Sequence, residues 1–192
     1  MTKKIKNFEL IIFALLMAGC TNVVTLVKVR DHALQNGVRH GIYQEFYPNK
    51  TIRTEITLKD GILNGPAKVF NKDGNLFAER NYVNGIIEGE YRQYYETGEI
   101  LMTGNSINGK ISGWQRKLYK NGKPREETYF VDGVAQGTSK SYYETGEIEY
   151  IGEIENGKFQ TIKQYNRKGE VIKEYHNTPN KFWKYSLIQI KP

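Results

Sequence analysis

The stretch Gly85–Asn108, GIIEGEYRQYYETGEILMTGNSIN, decides the fold, because most of the remaining chain repeats it. Its opening glycine recurs as Gly37, Gly61, Gly109, Gly133 and Gly157, at an unbroken spacing of 24 residues. Each of the six follows an Asn or Asp. That dipeptide suits a two-residue type I′ hairpin turn, in which both central residues take positive φ. A second glycine stands four residues later in five copies (Gly41, Gly65, Gly89, Gly113, Gly137), and Thr161 replaces it in the sixth. A third stands thirteen residues in (Gly74, Gly98, Gly122, Gly146). Lys50 holds that place in the first copy, and the sixth runs one residue short at Gly169.

Turns at both ends of such a unit leave two arms of about eight residues, each roughly 27 Å of strand. Each copy therefore reads as a β-hairpin. An isolated hairpin is marginal in water, so the copies must stack, and the end copies should be atypical caps. The expected fold is all-β: an elongated single-layer antiparallel meander of about six 24-residue hairpins over residues 36–176.

The flanks differ in character. Lys3, Lys4 and Lys6, the apolar run Leu10 to Met17, and then Ala18-Gly19-Cys20 read as a lipoprotein signal peptide over residues 1–19. The apolar run falls far short of the roughly 20 residues of a spanning helix. Cys20, the single cysteine, stands where a lipid thioether is attached, so the expected location is a bacterial cell envelope with the lipid in a membrane, inner or outer. Residues 20–35 read as an anchor and an N-terminal capping strand, β-branched from Val23 to Arg30 and continuing to about Leu34. Residues 177–192, with Phe182, Trp183 and Tyr185, read as a C-terminal cap that covers the sheet edge.

Side chains recur in columns. The ninth residue after each turn glycine (Phe46, Phe70, Tyr94, Leu118, Tyr142) should face the fifteenth (Ile52, Leu76, Ile100, Pro124, Ile148) across the hairpin. Pro124 has no N–H for a ladder, so the fourth hairpin is expected to be bulged or frayed there. The tenth residues Tyr47, Tyr95, Tyr119 and Tyr143 alternate to the opposite face, so aromatics line both sides. An aromatic neighbour is expected to lie over the bare backbone of each second glycine.

The seventh residues, Gln44, Lys68, Arg92, Arg116 and Lys140, form a largely basic column. One reading is a stripe that grips acidic peptide or phosphate-bearing groups, with Tyr94, Tyr95, Tyr119, Tyr142 and Tyr143 as contact surface beside Lys68, Arg92, Arg116 and Lys140. The other is a solvated row whose stems cover apolar neighbours. The formal charge of +7 falls to +5 once the three lysines and one glutamate ahead of Cys20 are removed. On an exported chain this points to anionic head groups, envelope polymers or an acidic protein in preference to nucleic acid.

Catalytic chemistry has little support. Asp60, Asp73 and Asp132 occupy turn slots, and His32, His40 and His176 lack the spacing of a metal site. Glu96, Glu99, Glu144 and Glu147 occur twice in equivalent turns, which suits capping better than one active site. No catalytic residue, metal or cofactor is expected.

The pattern Asn-Gly, three residues, Gly, then Tyr-Tyr, two residues, Gly-Glu-Ile, clearest in NGIIEGEYRQYYETGEI from Asn84 to Ile100, resembles the bacterial variant of the MORN repeat from about Asn36 to Tyr175. That resemblance implies a hairpin array without catalytic residues, and family members described as antitoxin-like or as envelope proteins. Two functions stand: a lipid-anchored binding or scaffolding module, and an antitoxin or immunity protein that neutralises a toxin by direct binding. Gly- and Tyr-rich hairpin repeats that bind cell-wall glycans offer a third.

Overall fold

The computed structural model describes residues 29–178 and 181–186. The signal peptide, Cys20 and residues 20–28 of the expected capping strand lie outside the described residues. Fifteen strands form one sheet: β1 (Gly41–Phe46), β2 (Ile52–Lys59), β3 (Ile62–Phe70), β4 (Leu76–Val83), β5 (Ile86–Ile87), β6 (Gly89–Tyr94), β7 (Ile100–Ile107), β8 (Lys110–Ile111), β9 (Gly113–Leu118), β10 (Pro124–Val131), β11 (Val134–Tyr142), β12 (Ile148–Glu155), β13 (Lys158–Tyr165), β14 (Val171–Thr178) and β15 (Lys181–Ser186). Each pairs antiparallel with its neighbours in sequence, and β5 and β8 are the opening residues of arms that continue as β6 and β9. The expected meander of six hairpins is what the chain forms.

The turn chemistry explains the period. Asp60, Asn84, Asn108, Asp132 and Asn156 have φ of 49 to 55° and the glycines after them 75 to 84°, the two positive values of a type I′ turn. Each turn glycine N–H donates to the preceding repeat, as Gly85 does to the Leu63 carbonyl at 2.8 Å and Gly109 to Ile87 at 3.0 Å. At the far end of each hairpin the tenth residue closes the turn, with Tyr95 N–H bonded to Glu99 O at 2.9 Å and Gly98 N–H to Tyr95 O at 3.0 Å. Lys50 makes the same turn at φ 68°.

Two expectations need correction. Residues 29–35 form a short helix where a strand was expected. Val29 and Ala33, one turn apart, pack on Ile56, Leu58, Leu63, Ala67 and Tyr82, and that burial outweighs the β-branched propensity upstream. The first Asn-Gly is accordingly no hairpin turn. Gly37, at φ 79°, ends the helix: its N–H donates to Leu34 O and the Val38 N–H to Ala33 O, both at 3.0 Å, the paired bonds of a Schellman cap.

The bulge expected at Pro124 is present: the proline pairs with Leu118 beside a bulge at Arg125. Equivalent bulges sit at Arg53, Phe77, Leu101 and Glu149, so the bulge belongs to the repeat and not to the proline. The second correction is that the second glycines carry no aromatic. Gly41, Gly89, Gly113 and Gly137 have open space where a Cβ would stand and Gly65 faces Thr57; the positive φ of Gly65, Gly89, Gly113 and Gly137 serves a further bulge against the preceding strand. Where Thr161 replaces that glycine, the bulge shrinks by one residue, which is the residue the sixth copy lacks. Lys181–Ser186 covers the edge of β14 by pairing with it as a further strand, β15.

The aromatic cover falls elsewhere, on Gly104 and Gly152. A Cβ on Gly104 would lie 2.5 Å from Tyr91 Cζ, and one on Gly152 2.6 Å from Phe159 Cδ1. Among the described residues, all buried side chains of the sheet share that face. They include Thr54, Ile56, Ala78, Tyr82, Tyr91, Met102, Phe130, Ile154 and Ile162. The opposite face carries the column of seventh residues.

Candidate functional site

Register turns the expected basic column into something different. The seventh residue of each first arm pairs with the eighteenth residue, on the second arm, and those partners are often glutamates. Across the sheet the row runs Gln44, Glu55, Lys68, Glu79, Arg92, Thr103. It continues through Arg116, Glu127, Lys140, Ile151, Lys163 and Glu174. Charges alternate along most of this row, with neutral Gln44, Thr103 and Ile151 in it. Arg92 Nη1 meets Glu79 at 3.3 Å, Arg116 Nε donates to Glu127 at 2.8 Å, and the Lys68 and Lys163 ammonium groups stand 3.8 and 3.5 Å from Glu55 and Glu174. The row is a ladder of ion pairs, and its summed field is far smaller than the seventh residues alone would produce.

The ninth-residue tyrosines belong to the same network. Tyr94 Oη donates to Glu79 at 2.6 Å and Tyr142 Oη to Glu127 at 2.8 Å. Burial, then the adjacent Glu127 carboxylate, pushes the Tyr142 phenol up to about 12. Tyr94 shifts the same way through burial and Glu79. These hydroxyls stay protonated and act as donors.

The tenth-residue tyrosines are staples between repeats. Tyr47, Tyr95, Tyr119 and Tyr143 donate to the carbonyls of Phe70, Leu118, Tyr142 and Tyr165, at 2.9, 2.8, 2.6 and 2.9 Å. A cation lies over each ring: Arg53, Lys120, Arg125 and Arg167, at 5.1 to 5.8 Å from the centroid. Tyr95, Tyr119 and Tyr143 therefore spend their hydroxyls on the next hairpin, and each ring lies under a cation.

The structure adds a cluster that column reading missed. Trp114 and Tyr129 are cross-strand partners on β9 and β10, on the ladder face, with ring centroids 5.3 Å apart in an edge-to-face arrangement. They are 43% and 39% exposed. With Val131, Gln136, Gly137 and Thr138 they line an open groove of about 410 Å³, and the Arg116 guanidinium lies 6.0 Å from the Trp114 ring. Other exposed apolar side chains on this face, Ile62, Val83, Ile86 and Ile107, flank the Asn-Gly turns. The sequence signal was Trp114 itself, a tryptophan where the other copies have Ile42, Pro66, Glu90 and Thr138.

Among the described residues no cluster of three His, Cys, Asp or Glu is placed to hold a metal ion, and no helix is long and apolar enough to cross a membrane. Glu99 and Glu147 are lowered by hydrogen bonds from Thr97 and Thr145 inside their own turns.

A stack of hairpins in one open sheet, with a buried face and a face of paired charges and exposed aromatics, defines a β-hairpin repeat protein. Residues 39–60, 63–84, 87–111 and 135–156 each match the model of the MORN repeat variant. The copy between the third and fourth matches, which carries Trp114 and Tyr129, keeps the same register. No curated protein is matched significantly. Among solved structures, one similar chain belongs to the Glycosylation Associate Protein (Gap123) complex from Streptococcus agalactiae, at 16% identity and a TM-score of 0.33, with 61% of this chain and 19% of that chain covered. The present chain thus spans about a fifth of that chain's length.

Proposed function

We propose that the chain is a non-catalytic binding or scaffolding module, held at a bacterial cell envelope by a lipid on Cys20, that receives a protein partner on the ladder face. MORN-variant repeats support the repeat-based binding role. The observation that carries the choice of face is the contrast between the two: one holds every buried residue of the sheet among the described residues, while the other keeps Trp114, Tyr129 and Val131 about 40% exposed. Isolated exposed apolar residues are ordinary on a folded surface; a groove lined by two aromatics beside a row of charges is a better contact patch.

The test is cross-linking capture from envelopes with the acylated chain, run beside Cys20→Ala. One stoichiometric protein partner, lost on Trp114→Ala and Tyr129→Ala together, is the expected result. Capture of lipid or glycan alone overturns the protein-partner reading. Membrane fractionation unchanged by Cys20→Ala overturns the anchor. Capture of a toxin that the chain neutralises replaces the scaffold by the antitoxin.

A further inference from the structure

The ladder of alternating charge is broken at two places, and both breaks are flanked by cations. Thr103 stands where a carboxylate would complete the row between Arg92 and Arg116. Ile151 stands in the same position between Lys140 and Lys163. Every other interior position of the second arms in this row holds a glutamate: Glu55, Glu79 and Glu127. The two gaps are four strands apart, about 19 Å at 4.8 Å per strand. Between them, one row along the strands, lies the Trp114 and Tyr129 groove.

We infer that this face binds an extended acidic segment of a partner protein, running across the strands, whose two carboxylates occupy the gaps at Thr103 and Ile151 while an apolar side chain between them enters the groove. The inference rests on the binding-module reading and specifies its partner. An extended chain rises about 3.3 Å per residue, so the carboxylates are spaced about six residues apart. The cations retain donors for them. Arg116 spends its Nε on Glu127 and is 48% exposed along its side chain; Arg92 spends one N–H on Glu79 and one on Glu90 and is 43% exposed. A guanidinium has five N–H donors in a fixed fork, enough to serve a second carboxylate. The acids already facing the route are Glu79 and Glu90 at Arg92, Glu127 between Arg116 and Lys140, Glu153 opposite Thr138, and Glu174 at Lys163. They lie beside the gaps, so they select against a segment with acids at other spacings.

The experiment uses the whole chain and a defined probe, a fluorescein-labelled twelve-residue peptide with Glu at positions 3 and 9, Leu at 5 and 7, which alternation places on the same face as the acids, and Ser or Gln elsewhere. A control peptide exchanges them, with Glu at 5 and 7 and Leu at 3 and 9. Fluorescence anisotropy is measured for the wild type, Thr103→Glu and Thr103→Gln. Thr103→Glu supplies the missing carboxylate from within, so it should melt at or above the wild type yet bind at least tenfold more weakly. Thr103→Gln should stay within threefold, and the control peptide should bind at least fivefold more weakly than the probe. Should Thr103→Glu melt below the wild type, Ile151→Glu serves as the folded comparison. Equal affinity of wild type and gap-filled chains for the probe, or no preference between the peptides, overturns the inference. An envelope partner captured equally by wild type and Thr103→Glu overturns it too and leaves the binding-module reading standing. Capture of no partner by either removes both.

Discussion

Gly104 and Gly152 differ from the turn glycines: their φ is ordinary for any residue, and only a neighbouring ring keeps them bare. The Tyr91 ring over Gly104 is held at both ends, by the Gln115 amide donating to its hydroxyl at 2.7 Å and by Arg80 at 6.0 Å from its centroid. It cannot step aside cheaply. Gly104→Ala should therefore cost about 1–3 kcal/mol, the usual range for overpacking, in urea unfolding. In a Tyr91→Ala background the same change should cost less, and a double mutant whose loss equals the sum of the singles would sink this account. Glu127 offers a second prediction, in pH. Burial works to raise its pKa, but the hydrogen bonds from Tyr142 and Arg116 outweigh it and hold the carboxyl below its ordinary 4.5. A folded pKa below the unfolded one gives stability that is present above the unfolded value and lost as pH falls through the folded one. The melting-temperature gap between wild type and Glu127→Gln should accordingly be full at pH 6 and close progressively below about pH 4.5. A gap that stays constant down to pH 3 would remove Glu127 from the ladder's energetics.

The hairpin shows which positions the period dictates. Lys50, at φ 68°, occupies a turn slot that the five other copies give to glycine. A left-handed conformation costs an L residue about 1–2 kcal/mol, and glycine returns roughly half of that as chain entropy. Lys50→Gly should thus raise stability by roughly 0.5–1 kcal/mol in denaturant melts, and a loss would mean that the lysine side chain matters more than its backbone. This turn also marks how far the fold was legible. Asn-Gly spacing specified the period and how each hairpin joins the next, because a type I′ turn leaves no freedom in which residues pair: Val83 with Ile86 and Ile107 with Lys110 follow directly. The same dipeptide at Asn36-Gly37 was misread, since a Schellman cap and a type I′ turn both want glycine at positive φ, and only the burial of Val29 and Ala33 distinguishes them. The candidate site was half legible. Its basic column was visible, but the glutamates between the cations come from second arms at a different offset, and a single column cannot reveal what a neighbouring strand places in register with it.

Across the whole molecule, each hairpin touches only its neighbours, so stability is close to a sum of local terms and need not be uniform along the array. The core is strongly weighted to one end. Val29 and Ala33 of the helix close over Ile56, Leu58, Leu63, Ala67 and Tyr82, all at 3% exposure or less, whereas from β9 onward the buried apolar side chains among the described residues are Phe130, Ile154 and Ile162, at 6 to 8%. Amide hydrogen exchange should follow that gradient, slowest in β2 to β4 and faster toward β13 and β14. Ala33→Asp tests the cause. Ala33 is fully buried, so an aspartate there must either expose the helix or bury an unpaired charge, and either outcome opens the first two hairpins. Protection in β2 to β4 should fall by at least tenfold in exchange rate, while β11 to β13 should keep wild-type rates because no contact of the helix reaches them. If protection drops equally along the sheet, the array unfolds as one cooperative unit and the nearest-neighbour account fails. If only the first hairpins respond, the helix is a local clamp, and the ladder face around Thr103 and Trp114 can open and close independently of it.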